Sequence, residues 1–101
     1  MTNYDIMRLP WPDNIIIRMK KLGYIEDDDK TYSDYVIWSA MARLTHPEIK
    51  VLANRYMSHR TQRRVTEIIG LSISRVQQLE KIGLEKLGKI LNRKKRQPQR
   101  K

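Results

Sequence analysis

Two stretches of helical periodicity meet at one glycine in "RTQRRVTEIIGLSISRVQQLEKIGLEKL", residues 60–87. Before Gly70, Val65, Ile68 and Ile69 fall on one side of a helix; after it, Val76, Leu79, Gly83 and Leu87 recur at three- and four-residue steps. Thr61 and Ser72 stand where the two helices need N-caps. Gly70 readily adopts the left-handed conformation that ends a helix. The connection is too short for anything but a sharp reversal, with apolar Leu71 pinning the turn to a core. The pattern therefore predicts helix 61–69, a tight turn, and a last helix from Ser72 to about Asn92. Ser74, Arg75, Gln77, Gln78 and Lys81 are left on its outer face or rim.

Upstream, Pro10 and Pro12 flank Trp11 and keep the first residues out of a helix. Asp13 or Asn14 is a candidate cap for a short helix over 14–22, with Ile15, Met19 and Leu22 inward and Gly23 closing it. "EDDDK" reads as a solvated acidic loop. Its alternating Asp27, Asp29 and Thr31 suggest a calcium loop, but Tyr32 stands where that loop needs glycine and no glutamate closes it. A third segment, "SDYVIWSAMARL", starts at Ser33 and places Tyr35, Trp38, Met41, Ala42 and Leu44 inward. "THP" ends it, Thr45 caps the next helix to about 57, and Ile49, Leu52, Ala53 and Tyr56 face in. No segment alternates with period two. The expected fold is all-α, about five helices: an extension over 1–32 with one short helix, a domain over 33–92, and a disordered basic tail over 93–101.

Charge divides the chain unevenly. Residues 1–45 hold six Lys/Arg against seven Asp/Glu, and residues 46–101 hold fifteen against four, so the net +10 comes wholly from the second part. That excess calls for a polyanionic partner, and nucleic acid fits it best. The chain has no cysteine, which excludes a disulfide framework and a thiolate metal site. No apolar run approaches the roughly 20 residues of a membrane span, and no signal peptide is apparent; the expected location is cytoplasmic. His46 and His59 stand alone, so no metal or other cofactor is expected. Nor is an enzyme, because no paired carboxylates, phosphate loop or nucleophile–base spacing appears.

A helix-turn-helix in a basic setting assigns roles by position. The second helix enters the major groove of double-stranded DNA, making Ser74, Gln77, Gln78 and Lys81 candidates for base contact. Glutamine carries the donor–acceptor pair that reads adenine N6 and N7. Arg60, Arg63 and Arg64 on the first helix are candidates for phosphate contact, together with the cap residues Thr61 and Ser72. Ile73 is either an exposed edge of the core or a contact to a thymine methyl. The aromatic residues concentrate in the acidic half, which disfavours a base-stacking RNA surface.

The same segment resembles the promoter-binding region 4 of sigma-70-type factors. Thr61, Gly70, Leu71, Ser72, Arg75, Val76, Gln78, Leu79, Glu80, Leu84, Lys86 and Leu87 match its pattern without a gap, and Leu44, Pro47, Glu48, Val51, Leu52, Arg55 and Tyr56 match the preceding part. The resemblance implies a DNA-binding transcription regulator and assigns Arg75 to structure or phosphate. It further implies contact with the β flap of RNA polymerase, in a groove around Trp38, Ala42, Val51 and Leu52. Ile73, Ser74 and Gln77 depart from the family's usual residues at base-reading positions, so a promoter sequence other than the standard −35 element is expected. Gly83 replaces a common alanine, loosening the helix or letting a neighbour approach. Only about 32 residues precede the matching part, which suggests a stand-alone region-4-like protein of the kind built by phages and mobile elements. A polymerase-binding antiterminator or sigma competitor, a small terminase-type packaging protein and a general RNA-binding protein are the alternatives. The sequence does not decide the oligomeric state.

Overall fold

The computed structural model describes residues 8–96, whose regular secondary structure is all helical, without a strand. Helix α1 spans Asp13–Leu22, α2 Asp34–Met41 and α3 His46–Leu52, which runs on through a π-helical turn at Ala53–Met57. Helices α4, Gln62–Ile69, and α5, Ile73–Arg96, complete the chain. The last of these extends past the expected end at Asn92, taking four residues of the expected tail into the helix; residues 97–101 lie outside the described residues.

Local chemistry accounts for most boundaries. Ser33 Oγ accepts from the Val36 amide to start α2. Thr45 and Glu48 form a reciprocal capping box at α3, with Pro47 in its first turn. Gly23 and Gly70 end α1 and α4 at φ of 83° and 72°, a region costly for residues with a Cβ. Pro12, not Asp13 or Asn14, occupies the cap position of α1. Asn14 is instead fully buried, and its Nδ2 donates to the Tyr56 carbonyl at 2.8 Å.

Helix α5 is the axis, packing against all four other helices. Its first half joins Val76 and Leu79 to Val51 and Val65 in a small core that Ile69 and Leu71 flank. Its second half contributes Leu84, Leu87 and Leu91 to a larger core with Ile15, Ile16, Met19, Ile25, Ile37 and Met41. Helix α1 and the segment after it thus share a core with the rest.

Five expected inward residues face out. Tyr35 and Trp38 are 76% and 48% exposed, because α2 buries Ile37, Ala40 and Met41 and, just beyond it, Leu44. Ala42 is exposed with them. Both stripes fit a helix, but the aliphatic one fills the space beside α5. Leu22 is exposed because Gly23 turns the chain and sends Ile25 inward. Ile68 also faces solvent, and Ile69 alone of that pair packs on the small core.

Two glycines on α5 admit neighbours. A Cβ on Gly83 would meet Leu52 Cδ1 at 3.1 Å, which supports close approach over simple loosening. A Cβ on Gly88 would lie 2.7 Å from the Tyr24 carbonyl oxygen. One turn on, Asn92 Nδ2 donates to that same oxygen at 3.1 Å. The segment after α1 is therefore docked backbone to backbone. Gly88→Ala should cost about 1–3 kcal/mol by forcing that segment away, a Tm loss of several degrees. Gly83→Ala meets a movable side chain and gains helix propensity, so its change should stay within about 1 kcal/mol. Thermal melts of the two variants distinguish backbone docking from a general intolerance of alanine.

Candidate nucleic-acid interface

The α4–turn–α5 unit is held at its caps, its turn and its rear. Thr61 Oγ1 accepts from the Arg64 amide and Ser72 Oγ from the Arg75 amide, each at 3.1 Å. Each cap oxygen is used as an acceptor and keeps its hydroxyl proton to donate. The Gly70 amide donates to the Thr66 carbonyl at 2.8 Å. Val76 and Leu79 are buried behind, so Ser74, Gln77, Gln78 and Lys81 are exposed together on the opposite face of α5.

The arginines differ in freedom. Arg60 is tied to Asn54 Oδ1 at 2.7 Å, and Arg64 pairs with Glu67 at 2.8 Å in an exposed bridge. Such a surface pair is worth under about 1 kcal/mol, so Arg64 exchanges it readily for a phosphate. The Arg63 side chain is exposed and makes no hydrogen bond or ion pair among the described residues. Arg75 donates to Gln78 Oε1 at 2.6 Å, which leaves the NH2 group of Gln78 facing outward. Ile73 is exposed at the start of α5.

Beneath this face sits a polar cluster that the sequence reading did not anticipate. Glu80 is 6% exposed, and its carboxylate accepts three hydrogen bonds from two parts of the fold, the π-helical turn and the start of α4. Arg55 Nε donates to Oε1 at 2.9 Å, Gln62 Nε2 to Oε1 at 2.9 Å, and Tyr56 Oη to Oε2 at 2.6 Å. Burial, reinforced by the Glu80 charge and hydrogen bond, pushes the Tyr56 hydroxyl far above its ordinary range and keeps it a donor. Arg55 also donates to the Arg60 carbonyl at 2.8 Å, bracing the turn before α4. A sequence signal existed: Glu80 lies on the apolar stripe of α5, a carboxylate among buried positions in a strongly basic half.

A second buried carboxylate ties α3 to α5. Lys86 Nζ donates to Glu48 Oε2 at 2.9 Å, and the Thr45 amide donates to Oε1 at 3.0 Å. Burial opposes the charge of Glu48, but the hydrogen bonds from Lys86 and Thr45 outweigh it and hold the carboxyl below its usual range.

The expected polymerase-contact residues do not lie together on the surface. Val51 and Leu52 are fully buried in the two cores, whereas Trp38 and Ala42 are exposed. Trp38 instead lines an accessible groove with Trp11, Asp34, Tyr35 and Met57. Among the described residues no group of three His, Cys, Asp or Glu side chains is placed to hold a metal ion, and no helix is long and apolar enough to cross a membrane.

Residues 40–89 match the family model for sigma-70, region 4. No curated protein and no solved structure matches the chain. Residues 40–89, from the end of α2 through most of α5, are therefore a sigma region-4-like helix-turn-helix module, of a family of DNA-binding domains.

Removing the Glu80 carboxylate strands an arginine, a tyrosine and a glutamine that it now satisfies. Glu80→Ala should cost about 3–5 kcal/mol, the range for breaking a buried ion pair on one side. Urea unfolding measures it; a loss below about 1 kcal/mol would mean that water replaces the carboxylate without strain.

Proposed function

We propose that the protein is a sequence-specific DNA-binding transcription regulator that acts at or near promoters, with α5 lying in the major groove. The observation that carries this reading is the exposed face of Ser74, Gln77, Gln78 and Lys81, backed by buried Val76, Leu79 and Glu80. Arg60, Thr61, Arg63, Arg64, Ser72 and Arg75 flank it as phosphate contacts. The basic end of the chain adds long-range attraction that is independent of sequence. The working unit is 33–92, with 1–32 as its buttress and 93–101 as a basic appendage.

The two kinds of contact differ in what they disturb. Gln77→Ala or Gln78→Ala should cost about 1–3 kcal/mol at the selected site and relax base preference there. Arg63→Ala should weaken all duplexes about equally and reduce the salt slope by about one unit. Binding-site selection followed by titration at several salt concentrations separates them. Unchanged binding by both glutamine variants would remove α5 as the reading face.

A second reading has its own observation in its favour. Tyr35, Trp38 and Met57 expose large apolar surface around one groove. Region 4 of sigma factors contacts the polymerase flap, so this surface, with Ala42 beside it, suits a polymerase-linked regulator, antiterminator or sigma competitor. Pull-down with the isolated flap domain should capture the wild type, and Trp38→Ala should lose it while still binding DNA. No complex at concentrations on the order of 50 μM would leave an operator-binding regulator without direct flap contact.

A further inference from the structure

Gln62, the first residue of α4, matches no fixed position of the region-4 pattern, yet it joins the buried Glu80 to the exposed Gln77. Its Nε2 lies 2.9 Å from Glu80 Oε1, and its Oε1 lies 3.2 Å from Gln77 Nε2. We infer that Gln62 is a positioning residue that sets which way the Gln77 amide faces, and so makes Gln77 favour adenine over guanine. The inference rests on the reading that α5 lies in the major groove.

The chemistry runs outward from one fixed charge. An ionised carboxylate only accepts hydrogen bonds, so the Gln62 group facing Glu80 must be its NH2. Its carbonyl oxygen then points the other way. A carbonyl also only accepts, so Gln77 must offer its own NH2 to Gln62. Two amides that are free to flip in isolation are thus oriented in series by Glu80, which Arg55 and Tyr56 hold in place.

One N–H of Gln77 and its carbonyl oxygen remain for a ligand. Adenine presents an acceptor at N7 and a donor at N6 in the major groove, which matches that remaining pair. Guanine presents acceptors at both N7 and O6. Bonding both would take the two N–H groups of Gln77, one of which is already spent on Gln62, and the carbonyl oxygen would face O6. Without Gln62 the amide can turn and present both N–H groups to guanine. The Gln77–Gln62 bond is exposed in the free protein, and excluding water on docking strengthens it.

The test uses the full chain. A binding site is selected from random duplexes, and each base is then placed in turn at the position whose preference changes in Gln77→Ala. Wild type, Gln77→Ala, Gln62→Met and the double variant are titrated on that set. At this position wild type should prefer adenine over guanine by about 5- to 150-fold, the span of one bidentate pair. Gln62→Met should reduce that ratio there and keep preferences elsewhere, and the double variant should match Gln77→Ala alone. If Gln77→Ala alters no position, Gln77 reads no base and the inference is overturned, while the reading face falls only if Gln78→Ala is equally silent. If Gln77→Ala alters one position that Gln62→Met leaves intact, or if wild type prefers guanine there, the relay is overturned while the reading face stands. Should Gln62→Met fail to fold, side-chain NMR of the free wild type decides. An ordered Gln77 amide supports the relay, and an order parameter below about 0.6 overturns it.

Discussion

The buried Glu80 carboxylate is the constraint on which the rest of the module depends. It gathers two donors from the π-helical turn after α3, Arg55 and Tyr56, and one from the start of α4, Gln62. The apolar contacts among α3, α4 and α5 include a small cluster of Val51, Val65, Val76 and Leu79. Four aliphatic side chains hold three helices together but allow them to roll, since dispersion is non-directional. Hydrogen bonds to one carboxylate are directional, and three of them, drawn from two separate elements, leave little freedom to roll. The orientation of the exposed face of α5 follows.

The π-helical turn belongs to the same arrangement. It sets Arg55 and Tyr56 on one side of the chain, both toward Glu80, while the Tyr56 carbonyl is taken up by buried Asn14 from α1. His59, at a positive φ of 57°, donates through Nε2 to the Leu9 carbonyl at 3.1 Å. Leu9 is thereby fastened at the junction between the two parts of the fold. A change in α1 that displaced Asn14 would disturb the Tyr56 backbone, and through it the carboxylate beneath the reading face.

Much of the architecture was legible because it is written in local chemistry. Ser33, Thr45, Thr61 and Ser72 mark helix starts, and Gly23 and Gly70 mark helix ends, by hydrogen bonds within a few residues of themselves. The helix-turn-helix followed from those marks and from the stripe of Val76, Leu79 and Leu87. The inward face of α2 was not legible, because Tyr35–Trp38–Ala42 and Ile37–Met41–Leu44 are equally helical stripes. Only the shape of the space beside α5 chooses between them. Asn14 was read as a cap because caps are where asparagine near a helix start belongs. Its partner lies 42 residues away, beyond any local rule. Gln62 escaped for the same reason: its two partners lie 15 and 18 residues on. Of the candidate site, the exposed positions were legible and the support behind them was not.

The two halves of the chain carry different surfaces, and the fold keeps them apart. Basic side chains of α4 and α5 surround the glutamine face, while the exposed aromatics sit on α2 beside Trp11, with Asp34 among them. A polyanion attracted by the first surface gains nothing from the second, where acidic residues balance the basic ones. A protein partner using the aromatic groove would approach without competing for phosphate contacts. Glu48 and Lys86 connect the helices between the two surfaces, and Glu80 anchors the far side of that joint. The outward positions of α5 are exposed, whereas the positions that orient them are buried, charged and mutually dependent. On the proposed function, base preference would drift by substitution at Ser74, Gln77 or Lys81, but only while Glu80 and its three donors stay in place.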